Sequence, residues 1–406
     1  MKRALFAWAL LIAIATLWSC RDDESTGIDA YTKQTILVYM PWSGTNSNSG
    51  LYHAFLDNLD SIESAIKAKK GLADSRLVVF ISRSATQSEL YEVTYENAQC
   101  KHTPLKTYQG ADYTTATGLA RIISDAKDMA PALNYAMIIG CHGTGWPPKD
   151  AWQNYPNNAK QYLFDTRQST PRPIPTRFFG SVADMHFATD IDVLAEAIKL
   201  SATQMQFILF DDCYMANIET AYALSDVTNF LIASTSEVIY IGMPYATMWS
   251  SLASATPNYA KALSAFYDFY SKYTVPCGTL SAIDCREVKR LAAIMQEINR
   301  IHTFDTSLLD SIQILDGFKQ GIFYDLGDYV THLCTNKALN EQFQQQLSRV
   351  IKGKVHTDSI YSYLYTNEGG KKIAVKTFSG LTISDPSQHI VVRRSADKTG
   401  WWKATH

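Results

Sequence analysis

This sequence has no excess of charge of either sign. Its 37 Lys and Arg nearly balance its 39 Asp and Glu, leaving a formal net charge of −2 over 406 residues. That balance gives no reason to expect nucleic acid or an anionic membrane face as a partner. Cysteine spacing is also uninformative. None of the seven cysteines sits in a Cys-x-x-Cys pair, which argues against a structural zinc site. No acidic cluster has metal-loop spacing, so no metal site or cofactor is expected, and a calcium need is left open. There is no internal repeat and no low-complexity tract. The apolar stretch 4–18 is too short and too early for a stable spanning helix.

What is present is material for a sizeable core: 46% hydrophobic residues against 19% charged. The length suits one large domain with additions, or two domains. At the N-terminus, Lys2 and Arg3 precede the apolar stretch, and Leu17-Trp18-Ser19-Cys20 ends it. This is a targeting pattern. The tetrad resembles a bacterial lipobox, which implies cleavage before Cys20 and acylation of that cysteine. Arg21-Asp22-Asp23-Glu24 resembles the acidic export tag of Bacteroidetes lipoproteins. The expectation is an exported lipoprotein at the outer membrane or cell surface, with the periplasmic side left open. An ordinary secretory signal with a chance cysteine is the alternative.

Apolar runs of strand length occur at 35–40, 76–81, 135–140, 206–210 and 230–234, with a hairpin arm at 89–95. Helical spacing occurs at 51–69, 115–129, 190–201 and 215–225. Continuous apolar strands alternating with helices predict an α/β fold with a mostly parallel sheet covered on both faces. Beyond residue 244 the pattern is mainly helical (259–272, 286–302, 328–334, 339–352). Strands are expected at 279–283, 360–364 and 373–378. The domain reading is therefore a signal (1–19), a tether (20–33), a core (34–256) and a C-terminal region that packs on it (257–406). The polar stretch 147–189 holds six of the thirteen prolines; a loop this long tends to be functional or disordered.

Two of the strands end at reactive side chains. AMIIGCHGTGW (136–146) delivers His142, and QFILFDDCYMANIE (206–219) delivers Cys213, 71 residues later. In open α/β sheets, sites form at carboxyl ends of strands. A cysteine and a histidine far apart in sequence, brought together by the fold, are the pattern of a thiol nucleophile with its base. A helix expected from about Tyr214 would put Cys213 near a positive dipole end, favouring thiolate. The Gly143 and Cys213 N–H groups are candidate oxyanion donors. Asp211 and Asp212, costly to bury without partners, predict an exposed cleft rim. Asp211 has a second reading, as the N-cap of that helix.

HGTGW and FDDCYMANIE resemble the two signature segments of the clostripain family, caspase-like cysteine peptidases of clan CD. ASTSEVIYIGMPY (233–245), TLSAIDCREV (279–288), YDLGDYV (324–330) and GLTISDP (380–386) extend the likeness over about residues 34–390. The resemblance implies His142 and Cys213 as the dyad and Gly143 as an oxyanion donor. It makes Asp211 the residue that selects a basic side chain before the cut bond. The expected partners are then protein or peptide substrates, plus the membrane through the lipid, with the chain acting as a monomer. The family's frequent self-cleavage between the two segments makes Lys149, Lys160, Arg167 and Arg177 candidate processing points. Arg172, followed by Pro173, is the poorer one. Three departures stand out: Asp212 replaces a small residue and would raise the Cys213 pKa unless it points away, while Pro41-Trp42-Ser43-Gly44 and Gly242-Met243-Pro244-Tyr245 differ from the family's usual segments and bear on substrate preference. A catalytically weak, surface-binding lipoprotein is the alternative that these departures favour.

Overall fold

Five apolar strands with no polar alternation form the parallel centre of the molecule. A computed structural model describes residues 32–45, 50–153, 179–181, 184–364 and 370–406. In chain order, β1 is Gln34–Met40, β2 Ser75–Ser84, β3 Gln87–Glu96, β4 Gln99–Gln109 and β5 Asn134–Gly140. Then follow two short strands, β6 (Phe179–Gly180) and β7 (Ala188–Thr189), β8 (Met205–Asp211), β9 (Thr228–Ala233) and β10 (Thr279–Asp284). Tyr324–Asp325 is β11 and Ile351–His356 is β12.

The main sheet runs β12-β10-β9-β8-β5-β1-β2-β3-β4. Its centre, β9-β8-β5-β1-β2, is parallel. Antiparallel strands extend it at both ends, β3 and β4 on one side and β10 and β12 on the other. All seven residues of β1 are buried, as a strand covered on both faces requires.

Helices cover both faces. Tyr52–Lys69, Tyr245–Leu252 and Tyr259–Tyr270 pack side by side on one. Ala116–Met129, Ile191–Leu200, Ile218–Leu224 and Val288–Ile301 form the other layer. The expected elements occur, with shifted ends. Three local differences have physical reasons. β4 reads QCKHTPLKTYQ and is largely exposed, so it has no apolar run to announce it; Pro104 sits opposite a register shift, where a missing N–H is tolerated. The expected helix 339–352 is Lys337–Val350, and the chain passes straight into β12 at β-branched Ile351. The helix expected from Tyr214 or Met215 begins only at Ile218, capped by the Asn217 side chain.

Candidate active site

The register of the two central strands levels the two reactive residues. Gly140, the last residue of β5, pairs with Asp211, the last residue of β8. Two residues beyond each stand His142 and Cys213. Parallel neighbours lie about 4.8 Å apart, so the turns emerge side by side. Both residues are 7% exposed and line one cavity of about 330 Å³.

The cysteine turn is not helical. Residues 213–216 form a loop in which Tyr214 takes φ +63°, a left-handed conformation costing about 1–3 kcal/mol outside glycine. Packing holds it there. The Tyr214 ring stacks on Phe323 at 5.0 Å, its hydroxyl donates to Glu237 Oε1 at 2.7 Å, and its N–H donates to Ser236 O at 3.0 Å. The helix-dipole expectation for Cys213 is thus corrected, because the nearest helix starts five residues later. Another donor takes its place: the Val238 N–H points at Cys213 Sγ from 3.3 Å, while the thiol donates to Val238 O at 3.5 Å. Burial, then Glu237, pushes the Cys213 thiol up; the Val238 N–H pulls it down.

The expected exposed rim is also corrected. Asp211 and Asp212 are 6% and 2% exposed, and they diverge. Asp211 turns to the first helical layer. Its Oδ2 accepts from the Tyr245 hydroxyl at 2.8 Å and from Asn58 Nδ2 at 3.3 Å. Its Oδ1 has no hydrogen-bond partner among the described residues. Burial raises its pKa to about 6, against the Tyr245 hydrogen bond that lowers it. Asp211 caps no helix, since Asn217 fills that role. Gly242, at φ +68°, passes so close that a Cβ there would stand 2.6 Å from Asp211 Oδ2. Asp212 turns instead to the histidine side, where its Oδ2 accepts from the Cys141 thiol at 3.4 Å.

The histidine turn is held from outside. Gly180 N–H donates to His142 O at 3.1 Å, so β6 is stitched to it. The segment 380–386 straps both turns. Thr382 N–H donates to Ala216 O, Ser384 N–H to Glu219 Oε1 at 2.8 Å, and Trp146 Nε1 to Ser384 Oγ at 2.8 Å. Thr382–Ile383 also pairs with β11. Five of the segments singled out in the sequence (136–146, 206–219, 233–245, 324–330 and 380–386) therefore meet at one end of the sheet. Neither the Gly143 N–H nor the Cys213 N–H makes a hydrogen bond within the described residues.

The described cysteines are free, and no group of three or more His, Cys, Asp or Glu among the described residues could hold a metal. Lys149 opens the short helix Lys149–Gln153, its N–H bonded to Asp190 Oδ1 at 2.9 Å. Cys20, Lys160, Arg167, Arg172 and Arg177 lie outside the described residues. Sequence reasoning missed Asn58, Glu237, Val238, Gly242 and Tyr245. Four of these five fall in the 233–245 segment, so the likeness had marked the stretch without giving it a role.

A family model for clostripain, Peptidase C11, matches residues 41–397. The chain belongs to the clostripain family. Its fold agrees with those of solved C11 proteases. It is 41% identical to a secreted C11 cysteine protease of Bacteroides thetaiotaomicron, "iotapain", with a TM-score of 0.82 over 93% of this chain and 99% of that one. It is 46% identical to a clostripain from Bacteroides thetaiotaomicron ATCC 29148 solved with the peptide inhibitor BTN-VLTK-AOMK; that match has a TM-score of 0.54 and covers 56% of this chain and 99% of that one. An inactive zymogen C11 protease from Parabacteroides distasonis, 24% identical, shares the fold with a TM-score of 0.74 over 93% of this chain and 99% of that one. No curated protein matches. The protein is accordingly a C11 cysteine protease, a hydrolase. Among the described residues no helix is long and apolar enough to cross a membrane.

Proposed function

We propose that this clostripain-family protease cleaves peptide chains after Arg or Lys through His142 and Cys213. The observation that carries this is Asp211 Oδ1, buried at the cavity and without a hydrogen-bond partner among the described residues. Among the described residues no Lys or Arg lines the cavity, whereas Asp211, Asp212 and Glu237 do. A buried carboxylate with an unmatched oxygen favours a cationic side chain, by charge-assisted hydrogen bonds. The inhibitor bound by the Bacteroides thetaiotaomicron relative has lysine as its last residue before the AOMK group, which supports a basic residue at that position.

In this reading the Cys213 thiolate attacks the substrate carbonyl carbon. The Gly143 and Cys213 N–H groups receive the oxyanion. His142 gives a proton to the departing amine, and a thioester remains. Water then attacks the thioester, releasing the acid and restoring the thiol. The Val238 N–H stabilises the thiolate form.

Self-processing between the two signature segments is the second part of the proposal. Both stems of that loop end on the site. Trp152 packs against Phe318 and His389, and β6 is bonded to His142. A helical peptide bond does not present the extended backbone a protease reads, so Lys149 is the weaker point, and Lys160, Arg167 and Arg177 are favoured. The lipobox-like tetrad supports anchoring through Cys20 at the outer membrane or cell surface.

The test is hydrolysis of fluorogenic Arg, Lys and Ala substrates by the mature protein and its Cys213→Ala variant. Only basic substrates should be cut, and only by the parent. Equal signals from both proteins would sink the reading. On a gel the variant should stay a single chain; a processed variant would assign the cut to another protease.

A further inference from the structure

Asp212 takes no part in the chemistry above, yet it is buried beside the nucleophile. Its Oδ2 accepts from the Cys141 thiol at 3.4 Å, and its Oδ1 has no partner among the described residues. On its other side lies the Gly143 backbone. A Cβ on Gly143 would stand 2.5 Å from Asp212 Cγ, 2.6 Å from Oδ1 and 2.7 Å from Cys213 O. The carboxyl group therefore fills the space between the residues on either side of His142. A side chain wedged against both flanks of a turn fixes where the turn stands.

We propose that Asp212 is a positioning residue for His142 and the Gly143 N–H, and not a charge acting on Cys213. The inference rests on the reading of His142 and Cys213 as the dyad. The groups that act on Asp212 are Cys141 and Asp211, with His142, Cys213 and Glu237 around the same cavity. None is a fixed cation. Burial and then Asp211 push its pKa well up, and only the weak thiol donor pulls the other way. A carboxylate here, with one oxygen unmatched, costs several kcal/mol, whereas the neutral acid avoids that penalty. Burial therefore favours the neutral acid of Asp212 over its carboxylate. Among the acidic groups around Cys213, Glu237 acts first and Asp212 and Asp211 only after it; Glu237 accepts from Tyr214, Ser362 and the Tyr363 N–H.

The experiment compares parent, Asp212→Asn, Asp212→Ala and Cys213→Ala on one Arg substrate. It also follows iodoacetamide alkylation of Cys213 by mass spectrometry between about pH 6 and pH 11, a range that reaches above the ordinary thiol value. A displaced turn misplaces the dyad, so Asp212→Ala should lose roughly tenfold or more in kcat with KM within about twofold. Asp212→Asn, neutral and of the same shape, should recover most of that loss. Its alkylation midpoint should match the parent's. The proposal is overturned if Asp212→Ala works at the parent's rate. It is equally overturned if Asp212→Asn shifts the midpoint down by about half a unit or more, because then a charge was removed. Should Asp212→Ala fail to fold, the Asp212→Asn midpoint decides alone. An active Cys213→Ala protein would instead break the dyad reading, a result separate from the Asp212 outcomes.

Discussion

Asp211 and Asp212 are neighbours in sequence and opposites in surroundings. Asp211 faces the helical layer of Tyr52–Lys69 and Tyr245–Leu252, where a hydroxyl and an amide donate to one oxygen. Asp212 faces the histidine turn, where its only donor among the described residues is a thiol. Successive side chains leave a strand on opposite faces, so the end of β8 splits two identical side chains between two jobs. The better-bonded one keeps a pKa of about 6 and is largely ionised at neutral pH. The other is pushed well above the ordinary carboxyl value by burial, with only a thiol hydrogen bond to oppose it. Adjacency alone does not make two carboxyls a like-charge pair at the nucleophile; the donors around each decide which is charged.

Charge removal on the Asp211 side should give the largest effect. Asp211→Asn keeps the shape and leaves a cationic substrate group without its counter-charge. Breaking a buried pair costs about 3–5 kcal/mol, so kcat/KM on an Arg substrate should fall on the order of a hundredfold or more. In the parent, kcat/KM should fall about tenfold per pH unit below pH 6, as the carboxylate protonates. Asp211→Asn should lose that limb. If Asp211→Asn cut Arg substrates like the parent, the cavity would not read charge through this residue.

A space-filling change comes next. Gly242→Ala places a Cβ 2.6 Å from Asp211 Oδ2 and 2.9 Å from Asn58 Nδ2, at φ +68°. Overpacking and the positive φ each cost about 1–3 kcal/mol. We expect KM for Arg substrates to rise roughly tenfold, with the Cys213 alkylation rate unchanged. The equivalent change on the other side, Gly143→Ala, presses on Asp212 and on Cys213 O, and should lower kcat instead. Steady-state kinetics of the two variants separates the sides; the same KM and kcat pattern in both would merge them.

This divergence is what the sequence could not show. The parallel sheet, its covering helices and the strand ends were legible, because buried strands leave continuous apolar runs such as ILVYM and FILF. His142 and Cys213 were legible because each stops such a run. The surroundings of the two carboxyls were not. Tyr245, Gly242 and Val238 reach the site through an element pattern with no periodic signal, and Val238 acts through a backbone N–H that no residue type announces. The helix expected after Cys213 failed for a related reason. MANIE has helical composition, but Asn217 offers a cap that starts the helix late, and Tyr214 is held left-handed by contacts from residues 236, 237 and 323.

The smallest effect is the sharpest on the comparison. Tyr245→Phe removes the 2.8 Å hydroxyl donor from Asp211 and leaves the ring in place. That hydrogen bond lowers the Asp211 pKa, so its loss raises it from about 6. A hydrogen bond to a charged group is worth about 1.5–3 kcal/mol, with part of the loss recoverable by relaxation. We expect the acid limb of kcat/KM to move up by roughly one pH unit, the equivalent of about 1.4 kcal/mol. Above the limb, kcat/KM should stay within about threefold of the parent. The matching change on the other side, Cys141→Ala, removes the thiol donor from Asp212. Asp212 does not meet the substrate's cation in this reading, so the acid limb, which belongs to Asp211, should stay where it is. An equal shift in both variants would mean that the two carboxyls titrate as one coupled pair, and the division of labour at the end of β8 would be wrong.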